Sequence, residues 1–97
     1  MTQYFNRLNP AELERLAILS EELGEAQHAI GKILRHGFDS CHPHTGISNR
    51  ANLELELGHV QNAISMVVNT GDVSPTRIRG HQQQKQVNIT KHLHHQD

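Results

Sequence analysis

Residues 9–37, NPAELERLAILSEELGEAQHAIGKILRHG, contain the start, the body and the end of one long helix. Asn9 can cap the first turn, and Pro10 suits a first helical position because it has no N–H to leave unpaired. Glu12 can complete a capping box with the cap residue. Apolar side chains then recur at helical spacing, and the closing glycine is a natural C-terminal stop. The stretch therefore predicts a helix that ends near His36.

A second helix is predicted from about Arg50 to Asn69, with Ser48 or Asn49 as its cap. Between the two helices, residues 37–48 contain Pro, two Gly and several turn formers without apolar periodicity, which indicates a structured surface loop. The side of the second helix that we expect to be buried carries Leu53, Leu57, Val60, Ala63, Ile64, Val67 and Val68.

A third helix is predicted to start at Ser74 and Pro75 and to continue toward Lys91, although its pattern is poor. A glycine interrupts it, and residues 81–86 are polar on every side, so we expect this helix to have little stability in isolation. No segment of the chain has the alternation or the β-branched density of a strand. The sequence therefore predicts an all-α fold, with a helical hairpin core and a C-terminal helical segment in one domain, 1–97.

Composition limits how this domain can be stabilised. The 97 residues include one Tyr, two Phe and no Trp, and 35% are hydrophobic, so one chain has few large side chains for a core. We therefore expect a homo-oligomer, a dimer or tetramer assembled as a helix bundle. A net charge of -1 gives no overall field that favours nucleic acid or an anionic membrane. The chain has one cysteine, Cys41, and shows neither a signal-peptide pattern nor a long apolar run. These features predict a soluble cytoplasmic protein.

Two acidic clusters, SEELGE (20–25) and ELELGH (54–59), fall on the first two helices. At about 100° per residue, each cluster contributes to a stripe along one side of its helix. The stripe on the first helix carries Ile18, Glu22, Glu25 and Ala29. The stripe on the second carries Asn52, Glu56, His59 and Ala63. Because both stripes mix acids with apolar or small residues, we expect them to face a groove, and antiparallel packing would bring the acids together.

Acids that converge in a groove indicate a bound cation. Carboxylates that face one another repel, and they stay ionised in a sheltered groove only when a cation neutralises them. Oxygen ligands of this kind suit Mg²⁺ or Mn²⁺, which take further ligands from water and substrate phosphates. Glutamate is also a good helix former, so a single acidic cluster is more often a solvated helix face. The pairing of two clusters is what favours the cation.

The two clusters resemble the E-E-x-x-E and E-x-x-D signatures of MazG-like all-α nucleoside triphosphate pyrophosphohydrolases. The resemblance rests on EELGE (21–25) and ELGH (56–59), and on three further stretches that are similar to small MazG-like proteins of phages and mobile elements, GKILRHGFDS (31–40), NRANLELELG (49–58) and KHLHHQ (91–96). Members of this family are helical hairpins assembled into dimers or tetramers. They cleave nucleoside triphosphates between the α and β phosphates, so the resemblance implies a Mg²⁺-dependent hydrolase that releases monophosphate and pyrophosphate.

The resemblance also implies roles for individual residues. Glu22, Glu25 and Glu56 occupy metal-ligand positions, and Glu21 is the candidate to orient or deprotonate the attacking water. His59 stands where the family has Asp, and an imidazole ligand favours manganese, zinc or cobalt over magnesium. A triphosphate carries more charge than the metal cancels, so basic and amide side chains should complete the site. The candidates for binding the substrate are Lys32, Arg35, Asn62, Lys85 and Lys91.

Two alternatives remain for the function. A catalytically silent oligomerisation module, or one that binds nucleotide or metal without turnover, would also retain the acidic hairpin, with His59 as the mark of a degenerate site. The other alternative is a zinc-dependent interaction domain centred on the loop sequence CHPH (41–44), which offers a thiol and imidazoles as zinc ligands, although its spacing matches no standard structural zinc site.

Overall fold

The computed structural model describes residues 6–96 and is helical, with no strand in that range. The only pairing of the β type there is one isolated bridge between Cys41 and Ser48. The all-α class and the helical hairpin predicted from the sequence are confirmed. The elements, in chain order, are α1 (Pro10–His36), α2 (Asn49–Asn69), α3 (Pro75–Asn88) and a short 3₁₀ turn (Ile89–His92).

The start of α1 is fixed by a complete capping box. The Asn9 side chain accepts a hydrogen bond from the Glu12 backbone N–H, and the Asn9 N–H donates to the Glu12 carboxylate, both at 2.8 Å. These two bonds satisfy donors that a helix end otherwise leaves without partners. Gly37, at a φ of 85° that favours glycine, ends the helix and donates its N–H to the Ile33 carbonyl. Both ends lie where the sequence predicts.

The loop of residues 37–48 is structured by its own hydrogen bonds and by the start of α2. Ser48, not Asn49, is the cap of α2, since its hydroxyl accepts from the Ala51 N–H. Asn49 instead begins the helix, is buried, and donates its side-chain amide to the Gly37 carbonyl at 3.1 Å. The first residue of α2 is therefore tied to Gly37, directly after α1, as an antiparallel hairpin requires.

The hairpin is held together by small side chains. Among the described residues, no large side chain is fully buried. Small residues at the contact let two helices approach closely, because the distance between helix axes depends on the side chains between them. The buried apolar residues are Ala26, Ala29, Val60, Ala63 and Val67.

The predicted buried side of α2 is partly wrong. Val60, Ala63 and Val67 are buried as expected, but Leu57 and Ile64 are 45% and 38% exposed. The stripe that faces α1 is rotated toward the acid-bearing side, and it leaves the other edge of the apolar arc uncovered. Apolar periodicity marks the full arc that can be buried, whereas a single partner helix covers only part of it.

α3 forms in spite of its polar sequence and runs directly into the 3₁₀ turn, whereas the extensive helix–helix contact among residues 6–96 is that of α1 with α2. Ser74 caps it by accepting from the Arg77 N–H, and no residue of α3 is buried. Within the described range, none of the helices has the length and hydropathy needed to cross a lipid bilayer.

Candidate metal centre

The acid-bearing stripes of α1 and α2 meet on one side of the hairpin. Glu22 and Glu25 from α1 lie against Glu56 and His59 from α2, and one ligand atom from each lies within 4.8 Å of all the others. Two ligands of one Mg²⁺ ion are at most about 4.2 Å apart, since each bond is about 2.1 Å long. Small side-chain adjustments are therefore enough for the four groups to share an ion.

Two carboxylate oxygens of this cluster are buried without a partner. Glu56 is only 8% exposed, although it carries an acidic side chain. Its Oε2 atom and the Oε2 atom of Glu22 are both shielded from solvent and accept no hydrogen bond. A buried polar atom without a partner costs about 1 to 3 kcal/mol, and more when it is charged. A cation is therefore the partner that both oxygens lack, and the four side chains of the cluster are suitable ligands for it.

His59 completes the cluster from the more open side. Its Nδ1 atom lies 3.3 Å from Glu22 Oε2 and 4.0 Å from Glu56 Oε2, and its side chain is 49% exposed. Neither contact is a hydrogen bond, because both oxygens lack a donor. The imidazole nitrogen thus sits beside the two unpartnered oxygens and is not aligned to donate to them. This placement suits a fellow ligand of a shared cation.

Small residues next to the acids set the spacing of the cluster. Ala29 is 2% exposed and Ala63 is 0% exposed, and each lies one helical turn beyond the acid or imidazole of its own stripe. A bulky side chain at either position would separate the helices. The close approach of the two backbones therefore follows from the same sequence stripes that carry the ligands.

Three of the predicted substrate-binding residues border cavities beside the cluster. Lys32 and Arg35 line a cavity of about 390 Å³ where α1 ends. Asn62 and Ile18 line a smaller one of about 200 Å³ that also touches Glu22 and His59. The structure therefore places a candidate pocket on each side of the cluster along the groove.

The remaining predicted residues lie elsewhere in the chain. Glu21 is exposed and is turned by about 100° around α1 from its neighbour Glu22, outside the cluster. Lys85 and Lys91 belong to α3 and the 3₁₀ turn, and they line neither cavity. The roles assigned to these three residues stay predictions.

The loop histidines and Cys41 do not gather as zinc ligands. In the part of the chain that the structure describes, the only group of three or more candidate ligands is the cluster of glutamates and His59. The Cys41 thiol donates to the Asp39 carbonyl, and His42 Nδ1 accepts from the N–H groups of His44 and Thr45. These side chains therefore hold the loop in shape.

Sequence reasoning assigned no binding role to part of the wall of the larger cavity, although it placed Asn52 on the stripe of α2 that faces the groove. Asn49, Asn52 and Ser40 line it together with the loop. The two asparagines at the start of α2 are a weak signal, because asparagine there is equally typical of a helix cap. The loop residues gave none, since no periodicity places them against α1.

The chain matches no family model, no curated protein and no solved structure. The candidate metal centre accordingly depends on its own geometry, and the resemblance to MazG-like proteins rests on the sequence motifs alone.

Proposed function

We propose that the protein is a metal-dependent nucleoside triphosphate pyrophosphohydrolase, which converts a standard or modified (deoxy)nucleoside triphosphate to the monophosphate and pyrophosphate. The observation that carries the proposal is the pair of buried, unpartnered oxygens, Glu22 Oε2 and Glu56 Oε2, within a cluster of four candidate ligands. The resemblance of the two acidic signatures to MazG-like enzymes supports the choice of substrate and bond.

The ligand set favours a hard divalent cation. Carboxylates of Glu22, Glu25 and Glu56 suit Mg²⁺, and the imidazole of His59 extends the range to Mn²⁺. When bound, such an ion neutralises charge on the phosphates and makes water available as a nucleophile near neutral pH. The helices fix the ligand positions in advance, so little rearrangement is needed when the substrate arrives.

Further side chains would bind and orient the substrate. Glu21 lies next to the ligand Glu22 and would orient or deprotonate the attacking water. Lys32 and Arg35 would offset phosphate charge, and Asn62 would hydrogen-bond the sugar or a phosphate. The remaining candidates come from α3 and the 3₁₀ turn and would join the site in the assembled protein. They are Lys85 and Lys91.

We also propose that the working form is a homo-oligomer, a dimer or a tetramer. α1 carries a stripe of large apolar side chains that remain between 41% and 82% exposed. Apolar surface of this extent on a small chain is typical of an interface. The stripe is formed by Leu16, Leu23, Ile30 and Leu34. Because nucleoside triphosphates are its substrates, the proposal places the protein in the cytoplasm.

The second candidate function is a silent module that binds metal or nucleotide without turnover. It is favoured by His59, which replaces the acid of the related signature and lies 3.3 Å from Glu22. When protonated, this imidazole would offset the charge of the cluster without any ion. The two functions therefore differ in catalysis and not in fold.

Pyrophosphate release from a panel of triphosphates with Mg²⁺ or Mn²⁺ tests the proposal. We expect release by the native protein, and loss of turnover in Glu22→Gln and Glu25→Gln with helical content retained. Glu54→Gln is the matched control, because Glu54 is exposed on α2 and lies outside the cluster. Native rates in Glu22→Gln or Glu25→Gln would contradict the ligand assignment.

The His59→Asp variant separates the enzyme from the silent module. If the native protein releases no pyrophosphate but this variant does, His59 marks a degenerate site. If neither releases pyrophosphate from any triphosphate, the hydrolase proposal is wrong. Activity of the native protein with a preference for Mn²⁺, reversed toward Mg²⁺ by His59→Asp, would support His59 as a working ligand.

A further inference from the structure

The larger cavity lies where α1 ends and the following loop turns back to α2. Its volume of about 390 Å³ falls within the range of small-molecule sites. Lys32, Arg35 and His36 line it from α1, with His42 on the loop and Asn52 on α2 among the residues that face them. No carboxylate of the described residues lines it, so the cavity presents positive charge and hydrogen-bond donors.

The two cations of this cavity have no acidic partner. Arg15 and Arg50 each pair with an aspartate, at 2.7 Å and 2.8 Å, whereas neither Lys32 nor Arg35 forms an ion pair within residues 6–96. Cations in the last turns of a helix also interact with its dipole. The helix dipole alone would not place these cations at a cavity. Here both Lys32 and Arg35 border a cavity large enough for a ligand. An anion is the partner that this wall fits.

The loop side of the cavity is built by hydrogen bonds. The His42 N–H donates to the Ile47 carbonyl at 2.8 Å, and the Asn49 N–H donates to the Ser40 carbonyl at 2.9 Å. His42 Nδ1 accepts from the backbone N–H groups of the turn, so the neutral ring carries its hydrogen on Nε2 and can donate there. A fixed donor suits an anionic ligand.

The cavity lies beyond the metal centre along the same two helix stripes. Lys32 shares the stripe of Glu25, two turns further on and about 10 Å along the axis, and Asn52 precedes Glu56 by one turn. On the other side of the cluster, the smaller cavity is lined by Ile18 and Asn62 and has no cation. Among the described residues, lysine and arginine therefore line only the larger of the two cavities.

We infer that this cavity binds the two terminal phosphates of the substrate, the part that leaves as pyrophosphate, while the nucleoside lies toward Ile18 and Asn62. The orientation rests on the proposed function, but binding of an oligophosphate anion by the cavity does not. The inference identifies Lys32 and Arg35 as residues that select for an oligophosphate tail and that retain the leaving group.

Titration of the full chain with inorganic pyrophosphate in EDTA, followed by calorimetry, tests the cavity without the metal. We expect saturable binding that weakens by about tenfold or more in Lys32→Ala/Arg35→Ala, as loss of charge-assisted hydrogen bonds implies. The matched control is Arg77→Ala/Arg79→Ala, which removes equal charge from α3, where no residue lines the cavity. Circular dichroism confirms that each variant is folded.

Cys41 offers a readout in the unmutated protein, because the only cysteine of the chain lines this cavity and is exposed. We expect pyrophosphate to slow alkylation of the Cys41 thiol by iodoacetamide, and adenosine to leave the rate unchanged. Protection by adenosine alone would mean that the cavity holds the nucleoside, which overturns the inference.

Absence of pyrophosphate binding, or equal weakening in both double variants, would also overturn the inference. Glu56→Gln distinguishes the two proposals, since we expect it to bind pyrophosphate in EDTA as the native protein does. If binding is present but no triphosphate is cleaved, the cavity assignment holds and the proposed function fails. If triphosphates are cleaved but pyrophosphate does not protect Cys41, the proposed function holds and the cavity assignment fails.

Discussion

At the scale of single residues, Glu56 carries charge where charge is costly. Its neighbours Leu55 and Leu57 are 54% and 45% exposed, whereas Glu56 itself is 8% exposed. An apolar residue would be the stabilising choice at such a position. The acidic residue is thus buried while the two leucines beside it are exposed. A bound cation would explain this order, because the ion replaces the interactions with water that the carboxylate loses on burial.

We predict that Glu56→Gln changes stability in opposite directions with and without metal. In EDTA the amide removes a buried, unpaired charge that repels its neighbours, so unfolding should cost about 1 to 3 kcal/mol more than in the native chain. With Mn²⁺ or Mg²⁺, the native Tm should rise by mass action and that of the variant should not. Thermal melts with and without metal measure both effects.

Glu54→Gln is the control for this comparison, because Glu54 is exposed on the same helix. It should change neither Tm nor the response to metal appreciably. A native Tm that does not respond to millimolar Mn²⁺ or Mg²⁺ would contradict the metal centre.

The residues that could be predicted from the sequence are those whose partners are local or periodic. The Asn9 and Glu12 box depends on a spacing of three residues. The convergence of Glu22 with Glu56 follows from helical periodicity once the two helices pack antiparallel. The half-exposure of Leu57 could not be predicted, because it depends on how far α2 is rotated against α1. Helical geometry defines an apolar arc, but packing selects which part of it is covered.

At the scale of elements, one ion pair fastens the start of α1 to the turn between α2 and α3. Arg15 Nε lies 2.7 Å from Asp72 Oδ2, and Arg15 Nη2 lies 3.0 Å from Asp72 Oδ1, so the pair is bidentate. The two side chains are 18% and 16% exposed. The hydrogen bond from the guanidinium, followed by its charge, lowers the pKa of Asp72 below the usual 3.8.

This pair predicts a pH dependence of stability. Because the folded pKa of Asp72 is lowered, its contribution is complete above the unfolded value near 3.8 and is lost as the pH falls through the lower folded value. We expect Asp72→Asn to lower Tm at pH 7, and the difference from the native chain to shrink below about pH 4.

Melting curves between neutral and strongly acidic pH test this expectation. Asp39→Asn is the comparison, since Asp39 pairs with Arg50 but its side chain is 85% exposed, and such a pair contributes little. A Tm difference for Asp72→Asn that is constant across the acidic range would contradict the assigned role of the pair.

The sequence predicts the bounds of the elements better than their arrangement. Three serine or asparagine caps and a glycine stop give the ends of the helices, because those signals act within one turn. The Arg15 and Asp72 pair joins positions 57 residues apart and leaves no local signal. α3 likewise has a cap but no apolar stripe, so nothing in its sequence indicates where it packs.

At the scale of the whole molecule, the single chain is open and leaves large apolar side chains uncovered. Its radius of gyration is 17.3 Å, whereas a compact domain of this length has about 12.5 Å. The core consists of alanines and valines, and large apolar residues such as Leu34, at 82% exposure, lie outside it. Leu23 and Glu25 are about 160° apart around α1, so the apolar stripe and the metal centre occupy different sides of the hairpin.

We predict that Leu23→Glu, on the apolar stripe of α1, dissociates the oligomer and lowers Tm. In a monomer this change would be nearly neutral, because Leu23 is 51% exposed and surface substitutions alter stability by about 0.5 kcal/mol or less. In an oligomer it places a charge in an apolar interface, and Tm of the native chain should rise with protein concentration.

Sedimentation velocity of the native chain and of the variant measures the association directly. Leu55→Glu is the matched control, since Leu55 is 54% exposed and lies on α2 and not on the apolar stripe of α1. A native chain that sediments as a monomer with a concentration-independent Tm would contradict the assembly.

Because the stripe and the acids lie on different sides of α1, Leu23→Glu should leave the coordination geometry of each hairpin intact. Any loss of metal response in the variant would then mean that association also completes the metal centre.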